Sequence, residues 1–472
     1  MTLKLTGSLL AALLLSACAV GPRYETPKTP PAAFNAAASA PAFAAAPFEA
    51  AWWTAFEDPT LDDLERRALA GNLDLRVAVA RVREARALFR DTRLDQLPRV
   101  TAGGGYTDGR TPQPGGPPIT DSTWQAGFDA GWEIDLFGHV RRQVEAARAD
   151  VGAAEADLHD AQVLIAAEVA RNYFEYLGAR DRLTVARRNL ETQRDTLRLT
   201  KSRFEVGLGD AVGVASAQAA LSATESSIPL FTIQATQASH RLAVLVGERP
   251  GALDAQLAPE RPRRVLARAL PIGDASALLR RRPDVAAAER RLAAQTARVG
   301  VATADLFPRV TVTGFVGFLS GDLSSLGGDA SRMWSLAPAV SWPALDFGGA
   351  QARLRVQQAR NDAALATYDQ TVLLALEDVQ NALVAYAQTQ ARVASLAQRS
   401  AASRRAAELA RVRYREGATD FLTLLDAERT LLEAEDAEAA AQTTLNTQVV
   451  ALYKALGGGW DAPQATQVAA GG

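Results

Sequence analysis

Cysteine and histidine are almost absent from this chain. Its 472 residues include one cysteine, Cys18, and three histidines, His139, His159 and His240. A single cysteine excludes an internal disulfide framework and a cysteine-rich metal site. No two histidines lie within helical reach of one another, which argues against a histidine metal cluster, so no metal is expected. Charge of one sign is lacking too: 51 Lys+Arg against 53 Asp+Glu gives a formal net charge of −2. That balance argues against a general nucleic-acid binder, which would carry a basic face. Aromatic residues make up only 6%. Enzyme signatures are also missing, with no Gly-x-Ser-x-Gly elbow, no Walker loop and no dinucleotide fingerprint. Gly207-x-Gly209 lacks the third glycine. Neither catalysis nor a cofactor is expected, apart from a covalent lipid. With 48% hydrophobic and 22% charged residues, the composition fits a folded chain.

The first twenty residues read as a sorting signal. Lys4 gives a short positive region, and Leu5 to Leu15 form an apolar run too short to span a bilayer as a helix. The run ends in Leu15-Ser16-Ala17-Cys18, a lipobox. Residues 1–17 are therefore expected to be removed and Cys18 to be acylated, with Ala19 favouring the outer membrane. Pro22, Pro27, Pro30, Pro31, Pro41 and Pro47 suggest an extended tether within an N-terminal segment covering 18–58.

Self-similarity carries the most information. A constant offset of 210 pairs Asp74 with Asp284, Pro98-Arg99-Val100 with Pro308-Arg309-Val310, Trp124 with Trp334, Trp132 with Trp342, and Phe137-Gly138 with Phe347-Gly348. It continues through Arg203/Arg413, Gly207/Gly417, Asp210/Asp420 and Gly247/Gly457. The chain thus holds two tandem copies, 59–250 and 269–460, joined by a connector at 251–268 and followed by a tail at 461–472. Each copy reads helix, strand, strand, long helix, helix. Asp58-Pro59 is an N-cap with proline at the first helical position, and Pro98 and Pro308 end the first helices. From Ala344 to Asp461 there is no proline at all.

Seven-residue spacing in the long helices predicts coiled-coil packing. Val144, Val151, Leu158 and Ile165 recur with Ala147, Ala154 and Ala161 between them. After a stutter through Val169, Tyr176, Leu183, Leu190, Leu197 and Phe204 follow. Copy two has Leu365, Val372, Val379, Tyr386 and Val393. A helix over 138–206 would be roughly 100 Å long.

Four strands are predicted, at about 99–107, 123–134, 309–318 and 334–342. Trp124, Ala126, Phe128, Ala130, Trp132 and Ile134 alternate with Gln125, Gly127, Asp129, Gly131 and Glu133. Trp334, Leu336, Pro338, Val340 and Trp342 do the same. Trp124, Trp132, Trp334 and Trp342 stand where a membrane β-barrel carries its aromatic girdles. Soluble antiparallel sheets alternate similarly, but four strands cannot close a barrel and an open edge is not tolerated in lipid. Several chains must then share one barrel, and three would complete it. The fold class is mainly α with a membrane β-barrel portion.

These stretches resemble the outer membrane factors, the TolC/OprM-like exit ducts of Gram-negative cells, in their lipoprotein branch. The resemblance rests on Trp52-Trp53-Thr54-Ala55-Phe56 with Asp58-Pro59, on Gly131-Trp132-Glu133-Ile134-Asp135-Leu136-Phe137-Gly138, and on Leu278-Leu279-Arg280-Arg281-Arg282-Pro283-Asp284-Val285. It implies a homotrimer with a 12-stranded outer-membrane barrel and a 12-helix periplasmic tunnel. The implied partners are a periplasmic adaptor and an inner-membrane pump of the resistance-nodulation-division type. The implied activity is passive efflux of small molecules, with type I protein secretion as the alternative and a lipid-anchored coiled-coil structural protein as a more distant one. By the same resemblance, the helix-to-helix turns are the periplasmic tips. Phe204, Val206, Gly207, Leu208, Tyr414, Gly417 and Thr419 are then candidates for adaptor contact, and Asp420, Asp426 and Asp210 for the gate. Threefold symmetry would crowd those carboxylates, raising their pKa values or trapping a cation; a solvated helix-start aspartate is the plainer reading.

Overall fold

Asp58 starts the helical part of the chain. One carboxylate oxygen accepts the backbone N–H of Thr60 (2.9 Å) and of Leu61 (3.4 Å), and the other takes the hydroxyl of buried Tyr173 at 2.6 Å. Such a cap contributes about 1 kcal/mol, and the tyrosine ties it to the core. The computed structural model describes residues 19–27, 42–44, 46, 50–259, 266, 269–273 and 281–460. Cys18, the signal segment 1–17 and the tail 461–472 lie outside the described residues.

In chain order the helices are α1 (Pro59–Gly71), α2 (Leu73–Leu94), α3 (His139–Glu205), α4 (Ala211–Leu245), the single turn α5 (Asp254–Leu257), α6 (Pro283–Ala304), α7 (Phe347–Arg415) and α8 (Phe421–Ala455). The strands are β1 (Phe43–Ala44), β2 (Arg99–Thr111), β3 (Ile119–Ile134), β4 (Leu270–Pro271), β5 (Arg309–Ser320) and β6 (Arg332–Ser341). The first helix of copy one is broken at Asn72, which sequence periodicity did not reveal. The Asn72 amide oxygen accepts from Asp74 N–H (2.8 Å) and Leu75 N–H (3.1 Å), capping α2, while its nitrogen donates to the Leu245 carbonyl at 2.9 Å. One side chain thus restarts a helix and binds the end of α4.

Contacts divide the chain into two compact units. One contains the four-stranded antiparallel sheet, ordered β2-β3-β5-β6. Its first three strands outrun the expected ones: the β2–β3 hairpin zips on to the Thr111–Ile119 pair, and β5 follows β3 as far as Ser320 opposite Trp124. The loop between β2 and β3 is confined to 112–118. Register aligns Tyr106 with Trp124, Phe128 with Val316, and Val316 with Trp334, so one apolar face runs unbroken across all four strands. Pro338 sits in β6, an edge strand within one chain, the kind of strand in which proline is tolerated. The helices of this unit meet through small residues. Near the start of α3 Ala146, Ala149, Ala153 and Ala156 are buried together with Val140, whereas Val144 and Val151 are only half-covered. Of the expected seven-residue series in this stretch, Leu158 and Ile165 are buried, and ahead of them the buried stripe runs through alanines offset from the expected positions.

The other unit holds the large core. Trp52, Trp53, Phe56, Leu61, Leu64, Tyr173, Phe174, Leu242, Leu383, Tyr386, Val449 and Tyr453 are buried together, and Trp52 stacks on Tyr453 with centroids 5.3 Å apart. The Trp52–Phe56 motif is therefore a core plug. β1 and β4 pair in parallel, Phe43 with Leu270, joining the N-terminal segment to the start of the second copy. Here the heptad reading holds for Tyr176, Leu190, Leu197, Val372, Val379 and Tyr386. Within one chain Phe204 (47% exposed) and, in the sheet unit, Leu365 (40%) are left uncovered.

Candidate functional site

The four tryptophans singled out by their spacing all belong to the sheet unit. Trp132 donates its indole N–H to the Gln96 carbonyl at 3.1 Å, and Trp342 donates to the Leu306 carbonyl at 3.1 Å. Both donor and acceptor differ by 210 between these bonds, so each copy pins its helix-proximal tryptophan to the turn before its first strand. At the loop end Trp124 packs on Tyr106, centroids 4.5 Å apart, while Trp334 is 77% exposed. Eight residues at about 3.4 Å each separate the two tryptophan levels by roughly 27 Å, near the height of an apolar membrane band. Between them Phe128, Val316, Leu336 and Val340 are also exposed. No described helix is long and apolar enough to cross a membrane, and that has no bearing on the sheet.

The turns predicted as tips lie in the other unit and share one geometry. Leu208 N–H donates to Arg203 O (2.8 Å) and Gly207 N–H to Phe204 O (3.0 Å); Ala418 N–H donates to Arg413 O (2.8 Å) and Gly417 N–H to Tyr414 O (3.1 Å). Gly207 and Gly417 take φ of +77° and +76°, which glycine alone accepts cheaply in such a helix-ending motif. Asp210 then caps α4 through Gly213 N–H at 2.7 Å, and Asp420 caps α8 through Thr423 N–H at 2.8 Å. Hydrogen bonds from the Thr423 backbone and side chain hold the Asp420 carboxyl below the usual carboxylate range. Within one chain Asp210 and Asp420 are thus helix caps. Asp426 is exposed beside Arg429 at 3.6 Å.

The two turns differ in what they present. Phe204, Val206 and Leu208 are exposed, making the first tip apolar. Their counterparts Tyr414, Glu416 and Ala418 do not match them. Tyr414 is buried, edge-on to Phe421 at 5.8 Å, which corrects its assignment as a surface contact. Thr419 is half-buried. Arg203 lies over the Tyr414 ring at 4.9 Å and donates to the Tyr414 carbonyl at 2.6 Å, clamping one turn to the other. Sequence reasoning placed Arg203 in the turn without giving it this role.

Carboxylates above the tips were also missed. Glu428 and Glu435, seven residues apart on α8, are both buried. Glu435 meets Arg188, Arg404 (2.8 Å) and the amide of Asn189 (3.2 Å), and these cations hold its carboxyl low despite burial. Glu428 has Arg411 (3.0 Å) and the Thr196 hydroxyl (3.0 Å), and there burial prevails and raises it. The pairs bind α8 to both α3 and α7. Their signal in the sequence was an acid every seventh residue on an otherwise apolar face. Among the described residues no group of three or more His, Cys, Asp or Glu side chains could hold a metal.

Comparison with known proteins matches the profile "Outer membrane efflux protein" twice, at residues 64–248 and 275–458. The chain is 33% identical over 471 residues to the outer membrane protein OprJ of Pseudomonas aeruginosa, covering 98% of each. It is 31% identical over 478 residues to the toluene efflux pump outer membrane protein TtgC of Pseudomonas putida, covering 98% of this chain and 96% of that one. The solved outer-membrane channel OprN superimposes with a TM-score of 0.91 at 48% identity, over 94% of this chain and all of that one. With both repeats matched and nearly its whole length aligned, the chain belongs to the outer membrane efflux protein family.

Proposed function

We propose that three copies of this chain form an outer-membrane channel-tunnel, the passive exit duct of a tripartite efflux system. The carrying observation is the sheet: four strands with two open edges, β2 and β6, and one continuous apolar face bounded by tryptophans. Unpaired edges are not tolerated in lipid, and three such sheets supply the 12 strands of a closed barrel. The family consists of transport ducts, so energy comes from an inner-membrane pump reached through a periplasmic adaptor. Small apolar compounds are favoured over secreted proteins as cargo, on the name of TtgC. The exposed Phe204, Val206 and Leu208 offer an adaptor an apolar seat, and the carboxylates of Asp210, Asp420 and Asp426 would attract cations at the entrance. Acylation of Cys18 would anchor the assembly, and several acyl chains hold more firmly than one.

Native mass of the detergent-extracted, lipid-modified protein tests this reading. A trimer is expected, with single-channel conductance in planar bilayers. A monomer stable in mild detergent overturns it. Palmitate label must vanish from Cys18→Ala, and cation block must weaken in Asp420→Ala if that carboxylate faces the entrance.

A further inference from the structure

The described N-terminal residues do not behave as a loose tether. Val20 N–H donates to the Phe137 carbonyl at 3.1 Å. The Arg142 guanidinium, whose side chain is only 5% exposed, donates to the carbonyls of Val20 (3.3 Å) and Gly21 (3.4 Å) while Glu145 holds its other side at 2.7 Å. Three glycines make the fit possible. A Cβ on Gly138 would come 2.6 Å from the Ala19 Cβ, one on Gly21 would come 2.7 Å from the Gly300 Cα, and one on Gly300 would strike Arg142 at 2.8 Å. Gly138 and Gly21 also take φ of +86° and +88°. Farther along, Tyr24 packs on Ala149, Ala293 and Ala294, and its hydroxyl donates to Glu289.

The duplicated chain supplies its own comparison. At an offset of 210, Gly138 corresponds to Gly348 and Arg142 to Ala352. A Cβ on Gly348 would meet nothing within 4 Å, and alanine has no donor. The seat exists in one copy only, and the chain has only one N-terminus to fill it.

We propose that residues 19–24 are a docking strap, and that Gly138, Arg142 and Gly300 form a seat fixing the lipid attachment point at the β3-to-α3 junction. This rests on acylation of Cys18. Consecutive Cα atoms lie about 3.8 Å apart, so a cysteine bonded to seated Ala19 cannot stray far from Gly138. The acyl chains then enter the membrane beside the Trp132 girdle and not at the end of a free tether. The seat also requires glycine at 138, because Ala19 fills the space where a Gly138 side chain would stand.

Limited trypsin digestion of the full-length, lipid-modified protein in detergent, followed by mass spectrometry of the released 18–23 lipopeptide, tests the strap. The Arg23–Tyr24 bond should resist cleavage in the parent protein. Gly138→Val and Arg142→Met should each release the peptide about tenfold faster or more, by local opening, while Gly348→Val should not. If Gly138→Val fails to reach its native mass, Arg142→Met carries the test, since it introduces no positive-φ strain. Equal cleavage of the parent and Arg142→Met overturns the strap, as does faster cleavage of Gly348→Val. The same spectra report the acyl mass on Cys18. An unacylated cysteine removes the anchoring role and the lipid reading together, whereas an acylated protein with an unprotected strap removes the strap alone.

Discussion

Arg282 and Asp160 face the same cleft in the large-core unit, of about 450 Å³, and meet opposite fates. Arg282 is buried and fully engaged: Asp284 at 2.7 Å, Asp378 at 3.2 Å, and the carbonyls of Ala375 (3.3 Å) and Ala455 (3.0 Å). It staples the start of α6 to α7 and to the end of α8. Burial pushes the Asp160 carboxyl up to about 6, and the neighbouring Asp284 adds to this, with Arg282, Asp157 and Lys454 as further charges around it. The folded chain therefore holds this proton more tightly than the unfolded one. The resulting stabilisation is complete below the ordinary value of 3.8 and is lost as pH rises through about 6, by at most about 3 kcal/mol. Asp160→Asn should raise the melting temperature at pH 8 and change it little at pH 4. Parallel melting curves for parent and variant across that range would refute the assignment. The sequence marked Arg280-Arg281-Arg282-Pro283-Asp284 as distinctive, but could not tell which arginine turns inward, because that depends on carbonyls from residues 93 and 173 positions away.

At the scale of elements, glycine spacing within one strand separates packing from mere conformational ease. Gly127 lies opposite Gly317, and a Cβ on it would come 2.6 Å from the Val316 carbonyl and 2.7 Å from the Phe315 ring. Gly131, three residues before the end of β3 at Ile134, has nothing within 4 Å of its Cβ position. Gly127→Val should abolish trimer recovery from the membrane fraction, while Gly131→Val should retain most of it; equal recovery of the two would contradict this packing. Strand alternation and helix periodicity were legible because they repeat every two and every seven residues. The break at Asn72, the buried alanines early in α3 and the zipped hairpin end were not. The first two depend on partners distant in sequence, Leu245 and Ala293 among them, and the pairs out to Thr111–Ile119 continue past the apolar alternation. The tips were half legible: the offset located both turns and both capping aspartates, but not that Phe204 would point out where Tyr414 points in.

For the whole molecule, the two units differ in what they need from other copies. The large core, with Trp52, Tyr173, Tyr386 and Tyr453, closes within one chain. The sheet leaves β2 and β6 without outer neighbours. Denaturing the trimer in detergent should therefore lose trimer mass and the β-sheet infrared band in one transition, while helical signal persists to harsher conditions. Loss of all three together would show that the helical unit also depends on assembly. The requirement for more than one chain was legible in the sequence from strand count alone, since it needs no side-chain detail.

The unequal tips carry a consequence for stoichiometry. In the trimer proposed above, three chains with two turns each would form a rim carrying both an apolar turn bearing Phe204, Val206 and Leu208 and a charged one bearing Arg413, Arg415 and Glu416. The two turns share one backbone hydrogen-bond pattern and nearly one glycine φ, so such a rim would offer six turns of like backbone. Its chemistry is only threefold. A ring of six identical ligands would thus encounter two classes of berth, and titration should resolve two affinities differing in salt dependence, the charged berth weakening as ionic strength rises.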